Sequence, residues 1–244
     1  MTCRSAVVKL GGSAITIKSS PETVNWGVLH QLAVTLGSYV TSGGRLAVVH
    51  GGGSFGHYAV ERLLRERGRL GPAEVAIVQR EMLVLAMAVL TELVSSGVPA
   101  SLHTAHSMCT SKDSCDLSPM TRDFEAGLVP VTYGDAVLSP SSGEGEVVSG
   151  DLLASRLSTA ISADCLIYVS DVKGVVGPNG SILRAVRPGQ PIGAVAGSGP
   201  DVTGGMTRKI AEAASSRARV VRIVGWEDLE AALRGEEVGT LVLR

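Results

Sequence analysis

Aromatic residues are scarce in this sequence: two Phe, two Trp and four Tyr, or 3% of the chain. Its core must therefore be built from Val, Leu, Ile and Ala, within an apolar share of 45%. Excess charge of either sign is also missing. The net charge is −1, which argues against a nucleic-acid binder held by a basic face. No apolar run reaches about 18 residues, so no transmembrane helix is expected. The opening MTCRSAVVKLGG turns polar too soon for a signal peptide. Cysteine is sparse and scattered at Cys3, Cys109, Cys115 and Cys165, with no C-x-x-C pair. Neither a zinc site nor a disulfide framework is indicated, and a reducing cytoplasm is the default expectation. The length, 244 residues, suits one large α/β domain or two small lobes.

What is present is glycine, concentrated where apolar runs end. The clearest case is RLAVVHGGGSFGHY at 45–58. A Val-rich run of this length reads as a buried strand. Consecutive glycines after a strand mark a close approach of backbone to something else. Freed N–H groups with a helix N-terminus behind them form an anion site.

Strands and helices alternate along the rest of the chain. Strands are expected at 6–16, 45–50, 98–102, 128–138, 165–171, 219–225 and 239–244. Helices are expected at 22–40, from about His57 to Arg67, and at 73–96, 149–163, 204–218 and 227–235. An irregular excursion covers 103–125, with a short helix near 119–126. Glycine-rich hairpins are expected near 140–148 and 172–182, and mostly loop over 184–204. The helix at 73–96 is apolar on most of its circumference, so two sides need cover and one of them could be a subunit interface. Val-rich strands without alternation indicate a mainly parallel sheet covered on both faces.

Two phosphate motifs fit the letters of 51–58 and fail in context. G-x-G-x-x-G needs an acidic strand end about 20 residues on, which here falls on Glu74 inside a helical segment. The Walker form would need Lys and Ser or Thr where His57 and Tyr58 stand. Other glycine pairs offer a third reading. Lys9 precedes Gly11 and Gly12, and Lys209 follows Gly204 and Gly205 by about one helical turn. Ser149-Gly150-Asp151 adds a carboxylate at a helix start. Two lysines, several backbone cradles and one aspartate are the parts for phosphoryl transfer, which rests on positioning and charge neutralisation. His103 and His106 lack an evident third metal ligand. Asp135 and Asp171 are candidate nucleotide or Mg²⁺-water contacts, with an N-cap or turn role equally open.

The ordered set KLGGS, HGGGSFGH, YGD, SGD, SDVKGV and DVTGGMxxK resembles the amino acid kinase superfamily. The second histidine of HGGGSFGH is similar to the isopentenyl phosphate kinase family within it. The motifs span residues 9 to 209. The resemblance implies an αβα sandwich with a mainly parallel central sheet, ATP with Mg²⁺, no dedicated metal-ligand set, and a homodimer using helix 73–96. It implies one continuous domain, with an acceptor lobe over 1–148 and a nucleotide lobe over 149–244. Lys9, Lys18 and Lys209 would act on the transferred phosphoryl group, and Asp151 would organise the lysines. The acceptor phosphate would rest on Gly52, Gly53, Ser54, Gly56 and Gly150, with His57 as side-chain donor. The nucleotide would meet Gly11, Gly12, Ser13, Ser170, Asp171, Gly174, Val175, Gly204 and Gly205. One departure is Lys173, where the family pattern has a carboxylate.

Chemistry favours a phosphate acceptor. A phosphomonoester is mostly dianionic at neutral pH and needs no base, unlike a hydroxyl. The expected reaction converts isopentenyl phosphate to its diphosphate. Alternatives of the same fold are a kinase acting on a phosphonate such as fosfomycin or on an acyl carboxylate, and a non-catalytic nucleotide-binding regulator. His50 is read as structural, bonding loop backbone. Ile77, Val78, Met82 and Met87 would line an apolar tail pocket, or else pack a core or an interface.

Overall fold

The Val-rich runs become the central strands, and their side chains divide between two cores. Along the first strand, Ala6, Val8 and Leu10 enter one core and Val7 enters the other. The next strand repeats this, with Leu46 and Val48 on one side and Ala47 and Val49 on the other. Burial on both faces is why these strands carry no polar alternation.

The computed structural model describes residues 2–193 and 205–244. The elements run β1 (Ser5–Leu10), α1 (Gly12–Ile15), α2 (Trp26–Thr41), β2 (Arg45–His50), α3 (Gly53–Arg67) and α4 (Pro72–Ser95). Next come β3 (Ala100–Leu102), α5 (Ala105–Met108), α6 (Ser118–Glu125), β4 (Val129–Tyr133), β5 (Asp135–Leu138) and β6 (Gly145–Val148). The remainder is α7 (Gly150–Ala160), β7 (Cys165–Ser170), β8 (Ala185–Val186), α8 (Gly205–Ala214), β9 (Val220–Gly225), α9 (Leu229–Arg234) and β10 (Thr240–Val242).

The main sheet has the order β3-β4-β2-β1-β7-β9-β10-β8. All its neighbouring pairs are parallel except β9 with β10. The core on one face includes residues of α2, α4 and α9, and the core on the other includes residues of α5, α6, α7 and α8. This is the expected αβα sandwich. Strand β1 lies between β2 and β7, so the chain reverses direction across the sheet there. Open α/β sheets bind ligands beyond the carboxyl ends of strands at such a point. Leu10, His50 and Ser170 end the three strands on that edge.

Three expectations are corrected. The strand read at 6–16 stops at Leu10, and α1 follows at once. The helix read from His57 begins four residues earlier at Gly53, because glycine carries no helical signal of its own. The strand read at 128–138 is two strands in different sheets. It breaks at Gly134, where a Cβ would come within 2.7 Å of the Gly150 nitrogen. Beyond it, among the described residues, β5 pairs only with β6, antiparallel.

The cysteine expectation is also overturned. Cys3 bonds Cys165, and Cys109 bonds Cys115. Spacing concealed the first pair, whose members are 162 residues apart and are joined because β1 and β7 are neighbours. Closing a chain segment this long restricts the unfolded state. Replacing both Cys3 and Cys165 with Ser is expected to lower unfolding free energy by about 2–5 kcal/mol. Denaturant titration checks this, and the wild type with reductant, which also opens Cys109–Cys115, should lose at least as much.

Candidate active site

Three loops meet at the carboxyl edge of the sheet. A Cβ on Gly12 would stand 2.2 Å from the Gly53 nitrogen, and one on Gly11 would stand 2.4 Å from the Val169 carbonyl. Only glycine lets the loops after β1 and β2 touch backbone to backbone. Gly53 also has φ +47°, in the left-handed region, and opens α3. Thr16 fastens the junction. Its buried hydroxyl donates to the Gly12 carbonyl at 2.7 Å and accepts from the Ser54 N–H at 2.9 Å.

Lys9 projects from β1 onto the side of Val7, where α7 packs. Its Nζ stands 2.7 Å from Asp151 Oδ1 as an ion pair. Lys209 Nζ, from α8, donates to Asp151 Oδ2 at 2.6 Å. The three side chains are 7%, 16% and 15% exposed for Lys9, Lys209 and Asp151, so this is a nearly dry triad of net charge +1. Burial lowers the Lys9 pKa to about 8, partly offset by Asp151. Burial alone would raise the Asp151 pKa, but Lys209 and Lys9 together pull it well below the usual carboxylate range. Ser149 caps α7 by accepting from the N–H groups of Asp151 and Leu152, and its hydroxyl donates to Glu212.

The other expected residues distribute as follows. Ser54 has its N–H bonded to Thr16 and its hydroxyl to Thr23, whereas the Gly52 and Gly53 N–H groups have no acceptor among the described residues. Gly56 permits helix packing, since a Cβ there would strike Met82 Sδ at 2.4 Å. Gly150 begins α7 against the His50 carbonyl. His57 lies half-buried in the first turns of α3. Lys18 reaches Asp171 at 2.8 Å in an exposed pair, and the Ser170 hydroxyl also donates to Asp171. Gly174 and Val175 are buried against β10, where the Val175 N–H donates to the Thr240 hydroxyl. Gly205 starts α8 with φ +73°, and Gly204 lies outside the described residues.

Asp135 is occupied: its carboxylate is buried, bonds His106 at 2.7 Å and accepts from the Ala136 N–H. His103 pairs separately with Asp123 at 2.9 Å. Of the expected tail residues, Val78 and Met82 are buried beside Ala59, Val60 and Tyr133, but Met87 is on the outer face of α4 and 50% exposed.

Sequence reading missed Thr16 and Tyr168. The Tyr168 hydroxyl donates to the Asp151 carbonyl at 3.0 Å, and its ring lies 5.5 Å below the Lys209 ammonium. Tyr168 pairs in register with Lys9, which a strand alignment would have revealed.

A family model described as the amino acid kinase family matches residues 4–223. The chain belongs to the amino acid kinase family. Among curated relatives, the isopentenyl phosphate kinase of Haloferax volcanii is 34% identical, with 97% of each chain covered. That of Methanocaldococcus jannaschii is 29% identical, with 96% of each covered. A solved isopentenyl phosphate kinase structure superposes with a TM-score of 0.79 at 28% identity, covering 97% of this chain and 99% of its own.

Thr16→Val removes both hydroxyl bonds at the loop junction and leaves the buried Ser54 N–H without an acceptor. Unfolding free energy should fall by about 1–3 kcal/mol. Chemical denaturation measures it, and an unchanged midpoint would show that the junction does not depend on Thr16.

Proposed function

We propose that this chain transfers the γ-phosphoryl group of ATP to isopentenyl phosphate, giving isopentenyl diphosphate and ADP. The observation that carries the reading is the meeting of two unlike features at one sheet edge. One is the glycine cradle at the start of α3, with His57 in its first turns. The other is the Lys9–Asp151–Lys209 triad, whose two ammonium groups face a single carboxylate. Relatives over the full chain length carry the same activity in their names.

In this reading an acceptor phosphate oxygen attacks the γ-phosphorus in line. The new P–O bond forms as the bond to the β–γ bridging oxygen breaks, and ADP departs. No base is required, because the acceptor is already ionised. Repulsion between the two anions is the barrier that the protein must lower. Lys9 and Lys209 neutralise the transferred group, and Asp151 holds them in place. The Gly52 and Gly53 N–H groups and His57 hold the acceptor phosphate. Lys18 adds charge from the first loop, and Ser170, Asp171, Gly174 and Val175 form the nucleotide side with Gly11, Gly12 and Ser13. The acceptor lobe is 1–148 and the nucleotide lobe 149–244.

No group of three or more metal-ligating side chains occurs among the described residues. We infer that Mg²⁺ would be carried by nucleotide phosphates and water rather than by a protein cage. When bound, the ion supplies further charge neutralisation. The cytoplasm, as the compartment that supplies ATP, is the location this reading implies. We also infer a homodimer. Val84 and Met87 on α4 are 53% and 50% exposed and line one groove with Trp26, which is 55% exposed. A second copy would cover that apolar face.

A coupled ADP-release assay with isopentenyl phosphate, fosfomycin and carbamate in parallel tests the activity. Turnover is expected with isopentenyl phosphate alone, and turnover with fosfomycin alone would contradict the acceptor. His57→Ala should lower kcat/KM for the acceptor roughly 10- to 100-fold through loss of a bond to a charged phosphate.

A further inference from the structure

His50 ends β2 and is fully buried, yet it is neither a core hydrophobe nor a member of the triad. Its Nδ1 lies 3.2 Å from the Gly51 carbonyl oxygen. Its ring lies 5.1 Å from the Tyr133 ring, and its Nε2 has no hydrogen-bond partner among the described residues. A carbonyl oxygen only accepts, so Nδ1 carries the proton and Nε2 is bare. Burial, together with the nearby Lys9 charge, lowers the pKa to about 4 against the opposing pull of the Gly51 carbonyl, so the ring is neutral at ordinary pH.

The Gly51–Gly52 peptide unit is trans and planar. Its carbonyl and its N–H therefore point to opposite sides. A carbonyl drawn toward His50 turns the Gly52 N–H the other way. Neither the Gly52 nor the Gly53 N–H finds an acceptor among the described residues. The same peptide adjoins the reacting centre: a Cβ on Gly51 would lie 2.9 Å from the Gly12 nitrogen and 3.2 Å from Lys9 Nζ.

We propose that His50 is a positioning residue for the acceptor: its Nδ1–H holds the Gly51 carbonyl and thereby aims the Gly52 N–H at the acceptor's phosphate. Without that bond, the carbonyl is free to turn its lone pairs toward the anion. His50 then governs acceptor affinity through the backbone and never touches the acceptor. The inference rests on the phosphate acceptor proposed above.

Two variants separate this role from packing. In His50→Asn the side-chain amide nitrogen takes the place of Nδ1, while His50→Leu keeps bulk and loses the donor. His50→Leu should raise the acceptor KM about 10- to 100-fold, the value of a hydrogen bond to a charged group, and leave the ATP KM within about twofold. His50→Asn should recover most of the acceptor affinity. Melting temperatures and circular dichroism of both variants establish that each is folded. Equal impairment of the two, or an unchanged acceptor KM in His50→Leu, would overturn the proposal.

A phosphorus NMR titration with methyl phosphate, with the nucleotide side filled by a non-hydrolysable ATP analogue, needs neither turnover nor the right tail. Binding should weaken in His50→Leu and not in His50→Asn, and equal affinity in both would also overturn the proposal. Wild-type protein that binds methyl phosphate and does not turn over isopentenyl phosphate would contradict the proposed activity and leave the role of His50 standing.

Discussion

One carboxylate holding two ammonium groups in a nearly dry pocket is the constraint on which the rest of the site depends. Lys9, Asp151 and Lys209 come from the first strand, from α7 and from α8, so the triad ties distant parts of the chain together at the sheet edge. Buried ions are stabilised only when they are paired and well placed. Here one negative charge serves two positive ones, and the surplus charge is exposed to whatever anion enters. Supports are built around it. Ser149 caps the helix that carries Asp151, and Tyr168 bonds the Asp151 backbone from below while lying under Lys209.

The second constraint is steric. In the proposed reaction the glycine cradle that holds the acceptor must touch the loop that follows Lys9, or two anions cannot be brought together. Gly12 against Gly53 meets that need with no side chain between them, and Thr16 bonds across the contact. His50 controls the same loop from within the sheet. The cradle is thus held by backbone and buried hydroxyls rather than by surface side chains.

Much of the fold was legible in the sequence, because Val-rich runs and glycine pairs report directly on buried strands and on their ends. The Lys9–Asp151–Lys209 grouping was legible for the same reason: each member sits within about one helical turn of a glycine at the end of a strand or the start of a helix. What escaped depended on contacts between distant residues. The Cys3–Cys165 bond follows from β1 and β7 being neighbours, and Tyr168 matters because it pairs with Lys9. The split at Gly134 follows from its contact with Gly150. Thr16 was hidden differently. A lone threonine beside a glycine loop carries no pattern, and only the geometry of Gly12 and Ser54 reveals its bonds. The start of α3 escaped because its first residues are glycine, serine and phenylalanine rather than strong helix formers.

The central claim is that Asp151 organises both lysines for transfer. Its most direct test is the single-turnover rate of phosphoryl transfer by Asp151→Asn, with both substrates saturating. The variant keeps the size of the side chain and removes its charge, so the two ammonium groups lose their common anchor. The account predicts a rate lowered about 10²- to 10³-fold in a folded protein that still binds both substrates, the scale expected when a preorganised electrostatic contact is lost. A folded variant with a transfer rate within a few-fold of wild type would contradict it.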